Sequence, residues 1–135
     1  HLAITNEASA EILAEREAML AVVSVNGSCF AFVALELRGD MEVVLTATSS
    51  SASAWQHATD ALRTDRNAIM EAVKGNGFVL SYTSPAQKDD KEVVLAAVSS
   101  NAYALEAASD RLKADREVVL AAIKSEDEYV EERKA

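Results

Sequence analysis

The sequence predicts an all-α solenoid of short helix-turn-helix repeats. Three observations carry that prediction. One pattern recurs every 25 residues with no insertion or deletion. Within each period the apolar residues take helical spacing. Half of the 135 residues are apolar while only 5% are aromatic, a composition of small and aliphatic side chains suited to stacking short helices.

The period is plainest near the C-terminus. Asp115-Arg-Glu-Val-Val-Leu-Ala-Ala-Ile-Lys124 shares seven of ten positions with Asp90-Lys-Glu-Val-Val-Leu-Ala-Ala-Val-Ser99. The same motif starts at Asp65, at Asp40 and, with Glu in place of Asp, at Glu15. Full repeats therefore occupy 15–39, 40–64, 65–89 and 90–114, with half-repeats at 1–14 and 115–135. The whole chain, 1–135, reads as a single helical-repeat domain.

Each unit reads as two helices. The leading acid is an N-cap whose carboxylate accepts unpaired N–H groups of the first turn. A glutamate two positions on (Glu17, Glu42, Glu92 and Glu117) suits the positive end of the helix dipole. An apolar stripe follows, as in Val93, Val94, Leu95, Ala97 and Val98. The stops at Asn26-Gly27, Asn76-Gly77 and Asn101-Ala102 predict left-handed C-caps.

The second helix takes apolar offsets of three, four and seven: Phe30, Val33 and Leu37; Trp55, Ala58 and Leu62; Leu105, Ala108 and Leu112. Helices of about ten residues are marginal alone, so stacking must stabilise them. Residues 1–14 lie in the register of a second helix, so the chain is expected to start partway through the pattern. Glu126–Lys134 reads as a polar capping helix anchored by Tyr129 and Val130. At Thr83–Asp90, Pro85 is expected to end the second helix of its unit. Gln87 removes an apolar anchor there, so a bend or loosened joint is expected.

Charge and composition exclude several functions. The net charge of −9 is a poor match for a phosphate backbone or an anionic membrane, and no nucleic-acid partner is expected. The apolar stretch Cys29–Leu35 falls far short of the roughly 20 residues of a membrane span. One cysteine and two histidines, His1 and His57, leave little for a metal site, and no metal, cofactor or catalytic residue is expected. Arg38-Gly39-Asp40 is the start of a repeat, and Gly75-Asn76-Gly77 lacks the strand of a dinucleotide site. Cys29 reads as a small core residue.

Two rows are the candidate contacts. On the second helices, positions two after the core anchor hold Phe32, His57 and Tyr82, with Phe78 and Tyr103 one turn earlier on that face. Such residues form a partner-binding ridge, unless neighbouring helices bury them. Arg16, Arg66, Lys91 and Arg116 recur in the first helical turn, against the dipole. Salt bridges to Glu17, Glu92, Glu117 or a neighbouring repeat's carboxylate are expected to compensate, with an acidic partner as the alternative.

The recurring Lys-x-Asp-Arg-Glu-Val-Val-Leu-x-Ala-Val, followed by Asn-Gly-x-x-Leu-x-x-Ala-Ser, closely resembles a tandem repeat of algae, other protists and their viruses. It is known as a domain of unknown function, numbered four-one-one-six. The resemblance spans nearly the whole chain, most strongly 90–124, and departs at Ser51-Ala52 and Gln87, where Asn-Gly and Leu are expected. It implies a helical repeat with no established catalytic activity and brings no catalytic residues. The expected function is a noncatalytic protein-interaction module, a scaffold or an accessory subunit of a larger assembly. By analogy alone, that assembly is an algal organellar, perhaps photosynthetic, complex. The alternative is a small-molecule-binding or enzyme-associated module using the aromatic row.

Overall fold

Every full unit after the first begins on an aspartate that caps its own helix. Asp40 Oδ1 accepts the N–H groups of Glu42 and Val43 at 3.0 and 3.3 Å. Asp65, Asp90 and Asp115 make the same pair of bonds in their own units. These caps open α2 (Met41–Ser50), α4 (Arg66–Gly75), α6 (Lys91–Ser100) and α8 (Arg116–Lys134). An equivalent helix, α1, covers 15–25. The computed structural model describes residues 15–32 and 37–134, with no strand among them. Glu15, expected as an N-cap, is itself helical, and the half-repeat 1–14 lies outside the described residues.

The long helices pack in succession, α2 on α4, α4 on α6 and α6 on α8, as an α-solenoid requires. Val43, Val44 and Ala47 of α2, Ile69, Ala72 and Val73 of α4, and Val93, Val94, Ala97 and Val98 of α6 are buried. Alanine at 47, 72 and 97 keeps the crossing helices close.

The second half of each unit differs from the single helix expected. It is a six-residue 3₁₀ helix followed by an isolated α turn. The 3₁₀ helices are η1 (Gly27–Phe32), η2 (Ala52–His57), η3 (Gly77–Tyr82) and η4 (Ala102–Ala107). The turns are α3 (Asp60–Arg63), α5 (Pro85–Lys88) and α7 (Asp110–Lys113). Thr59, Ser84 and Ser109 cause the break. Each is extended and caps the following turn through its hydroxyl, which accepts from Leu62, Gln87 and Leu112 N–H respectively. The apolar offsets survive because three residues per turn bring Trp55 and Leu80 to the core.

The stops also work differently from expectation. Asn76 and Asn101 are extended (φ −153° in both), and no residue has positive φ. Each asparagine instead caps the next 3₁₀ helix, its Oδ1 accepting Phe78 N–H at 3.1 Å or Tyr103 N–H at 2.9 Å. Asn76 Nδ2 also donates to Thr48 O of the preceding unit at 2.8 Å. Glycine after the stop answers to close approach. A Cβ on Gly27 would lie 2.1 Å from Ala47 O, and one on Gly77 would lie 2.4 Å from Ala97 O. Their N–H groups donate to Ser50 Oγ and Ser100 Oγ at 3.0 and 3.2 Å.

The joint between 40–64 and 65–89 has its own chemistry. The two flanking joints carry a direct backbone bond, Thr59 N–H to Arg38 O (3.2 Å) and Ser109 N–H to Lys88 O (2.9 Å). Here the Gln87 amide stands between the equivalent groups. Its Oε1 accepts from Ser84 N–H at 3.1 Å and its Nε2 donates to Arg63 O at 2.9 Å. Pro85 therefore starts a helical turn, at a position where its missing N–H costs nothing. Gln87 exchanges an apolar anchor for a polar bridge, so the expected loosened joint is hydrogen-bonded across. The Gly–Ser pairing is also reversed in type at this joint, with Ala52 and Gly75 in place of glycine and serine.

Where the Cβ would collide, as in Gly77→Ala, we expect a loss of about 1–3 kcal/mol from overpacking. Gly75→Ala, with nothing within 4 Å of the added Cβ, should gain about 0.5–1 kcal/mol of helix propensity. Urea denaturation of both variants checks the contrast. Gln87→Ala opens the capping box and strands the Arg63 carbonyl, and should cost about 1–2 kcal/mol. Gln87→Glu, which cannot donate to that carbonyl, should recover only part of the loss in the same measurement.

Candidate functional site

The basic row is a ladder between units. Arg16 Nε donates to Asp40 Oδ2 at 2.5 Å, and its guanidinium also meets Glu42. Arg66 bonds Asp90 at 3.1 Å and Glu92 at 2.9 Å. Lys91 Nζ lies 3.1 Å from Asp115 and 2.9 Å from Glu117. The sequence left the partner open between the same unit and its neighbour, and the structure places these three cations on the neighbour. Each reaches the next unit's capping aspartate and the glutamate two positions further. At the middle joint both halves of the rung are replaced, by Met41 and by Asn67. Arg116 has no carboxylate partner among the described residues.

These contacts polarise the groups involved. The Arg16, Arg66 and Lys91 side chains, by hydrogen bonding, hold the Asp40, Asp90 and Asp115 carboxyls below their ordinary 3.8. The carboxylates raise the cations in turn. Lys91 is held up first by Glu117 and then by Asp115. A smaller cluster joins the α5 and α7 turns. Asp89 Oδ1 accepts from Ser109 Oγ at 2.7 Å and from Arg111 Nε at 3.0 Å. Those two bonds, Ser109 first, lower the Asp89 carboxyl.

The aromatic row lies along the 3₁₀ helices, which pack η2 on η3 and η3 on η4. Phe78 and Tyr103 are the second residues of η3 and η4, while His57 and Tyr82 close η2 and η3. Phe78, Tyr82 and Tyr103 are 42%, 39% and 61% exposed. In a 3₁₀ helix two residues turn the chain about 240°, so anchors such as Leu80 point inward while these rings point out. His57 is half-buried. Phe32 ends η1, but its side chain lies outside the described residues.

Other sequence candidates are placed more simply. Asp40 of the Arg-Gly-Asp motif is a helix cap, and Cys29 is half-buried. Among the described residues no group of His, Cys, Asp and Glu is arranged to hold a metal ion, and no helix is long and apolar enough to cross a membrane. The expected capping helix is continuous with the last long helix as α8, because Glu126 replaces the asparagine that ends α4 and α6. The side chains of Tyr129 and Val130 lie outside the described residues.

One feature escaped sequence reasoning, a groove between η4 and α8 lined by Leu105, Val119, Ala122 and Ile123. Comparing Ile123 with its counterparts Val73 and Val98 would have raised it.

The family model described as a domain of unknown function (DUF4116) matches at residues 15–63, 40–86 and 90–128. All three matches open on the acidic residue that starts a unit. No curated protein and no solved structure matches the chain.

The lowered aspartates stabilise the fold above pH 3.8, and that contribution disappears as pH falls through their lowered folded-state values. Thermal melts from about pH 7 to pH 2 should therefore show Tm falling steeply below about pH 4. In Arg66→Met, which removes one rung, the fall should be shallower. An equal slope in both proteins would contradict this role for the rung.

Proposed function

The chain belongs to the DUF4116 family, and from that premise we propose that it is a noncatalytic protein-interaction module using the exposed face of its 3₁₀ helices. The observation that carries the reading is the outward placement of Phe78, Tyr82 and Tyr103 on consecutive, mutually packed helices. Their backbones are fixed by the asparagine caps and the core beneath, so the rings are held in place before any partner arrives. Pre-ordered aromatic side chains are the residues from which interface centres are built, because little entropy is lost when they are covered. Burying one such ring fully is worth about 1.5–3 kcal/mol.

The acid-rich surface favours a partner segment that is apolar and not itself strongly acidic. A scaffold or accessory subunit of a larger assembly is the finer form of this reading. The rungs and caps stiffen the array, as that role requires.

Photo-crosslinking residues placed singly at 78, 82 and 103, compared with 67 and 92 on the long helices, test the reading in native extract. Adducts should form only from the first set. Replacing Phe78, Tyr82 and Tyr103 together by alanine should weaken capture of the same partner more than tenfold. It should shift stability by less than about 1 kcal/mol. Equal crosslinking from 67 and 92 would refute the assignment of this face.

A further inference from the structure

The repeat has two unlike faces, and the one presented by α8 is uncovered. Leu80, Val94, Ala97 and Val98 are all fully buried where α6 and η3 meet the following unit. Their counterparts 25 residues on are Leu105, Val119, Ala122 and Ile123. There Ile123 is 53% exposed, and Leu105 and Val119 are only half-buried. Together they line an open groove of about 350 Å³. Arg116 stands beside it in the position of Arg66 and Lys91, without their carboxylates.

The register defines what fits. Each paired cation takes a carboxylate at +24 and a glutamate at +26. Counting on from Arg116 by whole periods, those positions correspond to Glu15 and Glu17. Both are exposed acids at the start of α1, with no cation partner among the described residues. The same helix exposes Ala18 and Val22, whose counterparts Val93 and Ala97 are buried against the preceding unit.

The geometry points to head-to-tail association, in which the α1 face of a second copy of this chain docks on the α8 face. Glu15 and Glu17 of that copy take Arg116, and its Ala18 and Val22 cover Val119 and Ile123. The two surfaces differ, so the contact is heterologous and does not close on itself as a twofold dimer would. Such a contact leaves one free end of each kind and grows with concentration.

Sedimentation velocity on the 135-residue chain, from micromolar to millimolar, reads this directly. The expected result is a concentration-dependent series of multiples of 14.4 kDa, lost in Ile123→Asp. That substitution is at an exposed position, and its circular dichroism and Tm should match the parent chain. Arg116→Glu alone, and Glu15→Lys with Glu17→Lys alone, should each associate at least fivefold more weakly than the parent. Mixing the two variants should restore association, because every junction in the mixture then joins opposite charges. A chain that stays at 14.4 kDa throughout would overturn the proposal. So would a dimer that persists in the Glu15→Lys, Glu17→Lys variant, since that places like faces together.

Discussion

The capping aspartate does two jobs with one carboxylate, and the array depends on both. One oxygen of Asp40, Asp90 or Asp115 holds the first turn of its own helix. The other faces the cation of the unit before. An exposed ion pair by itself is worth little, and so is a single cap in an isolated short helix. Joined in one group, they fix where each helix begins relative to its neighbour, which sets the register of all the packing above. Asp65 shows the cap working without the cation.

Much of this was legible because a tandem repeat states its rule several times. The 25-residue period, the aspartate cap, the apolar stripe and the outward row are all patterns of residue type. The helical type of the second half was not legible. Offsets of three and four fit a continuous α-helix as well as a 3₁₀ segment plus one turn, and the Ser/Thr caps at 59, 84 and 109 decide between them. The glycines were misread for a related reason. Asn-Gly is common where the backbone turns left-handed, and only the position of Ala47 O and Ala97 O shows that Gly27 and Gly77 answer to crowding.

The outward rings and the inward ladder divide the surface by chemistry. Charged rungs run along the long helices, where each acid already has a use within the fold. The exposed rings run along the 3₁₀ helices, where no structural demand accounts for them. Trp55 and Leu80 already fill the core beneath. That separation is what allows one face to be altered without disturbing the joints.

The middle joint has a consequence for how the array comes apart. Stability in a linear repeat protein is a sum of unit terms and nearest-neighbour couplings. Between 40–64 and 65–89 the coupling has no ion rung, and a side-chain amide replaces the direct backbone bond. Nearest-neighbour cooperativity is therefore uneven along the array. Partial opening divides the chain near Thr64 into two blocks, each able to keep its own internal couplings while the other exchanges or melts.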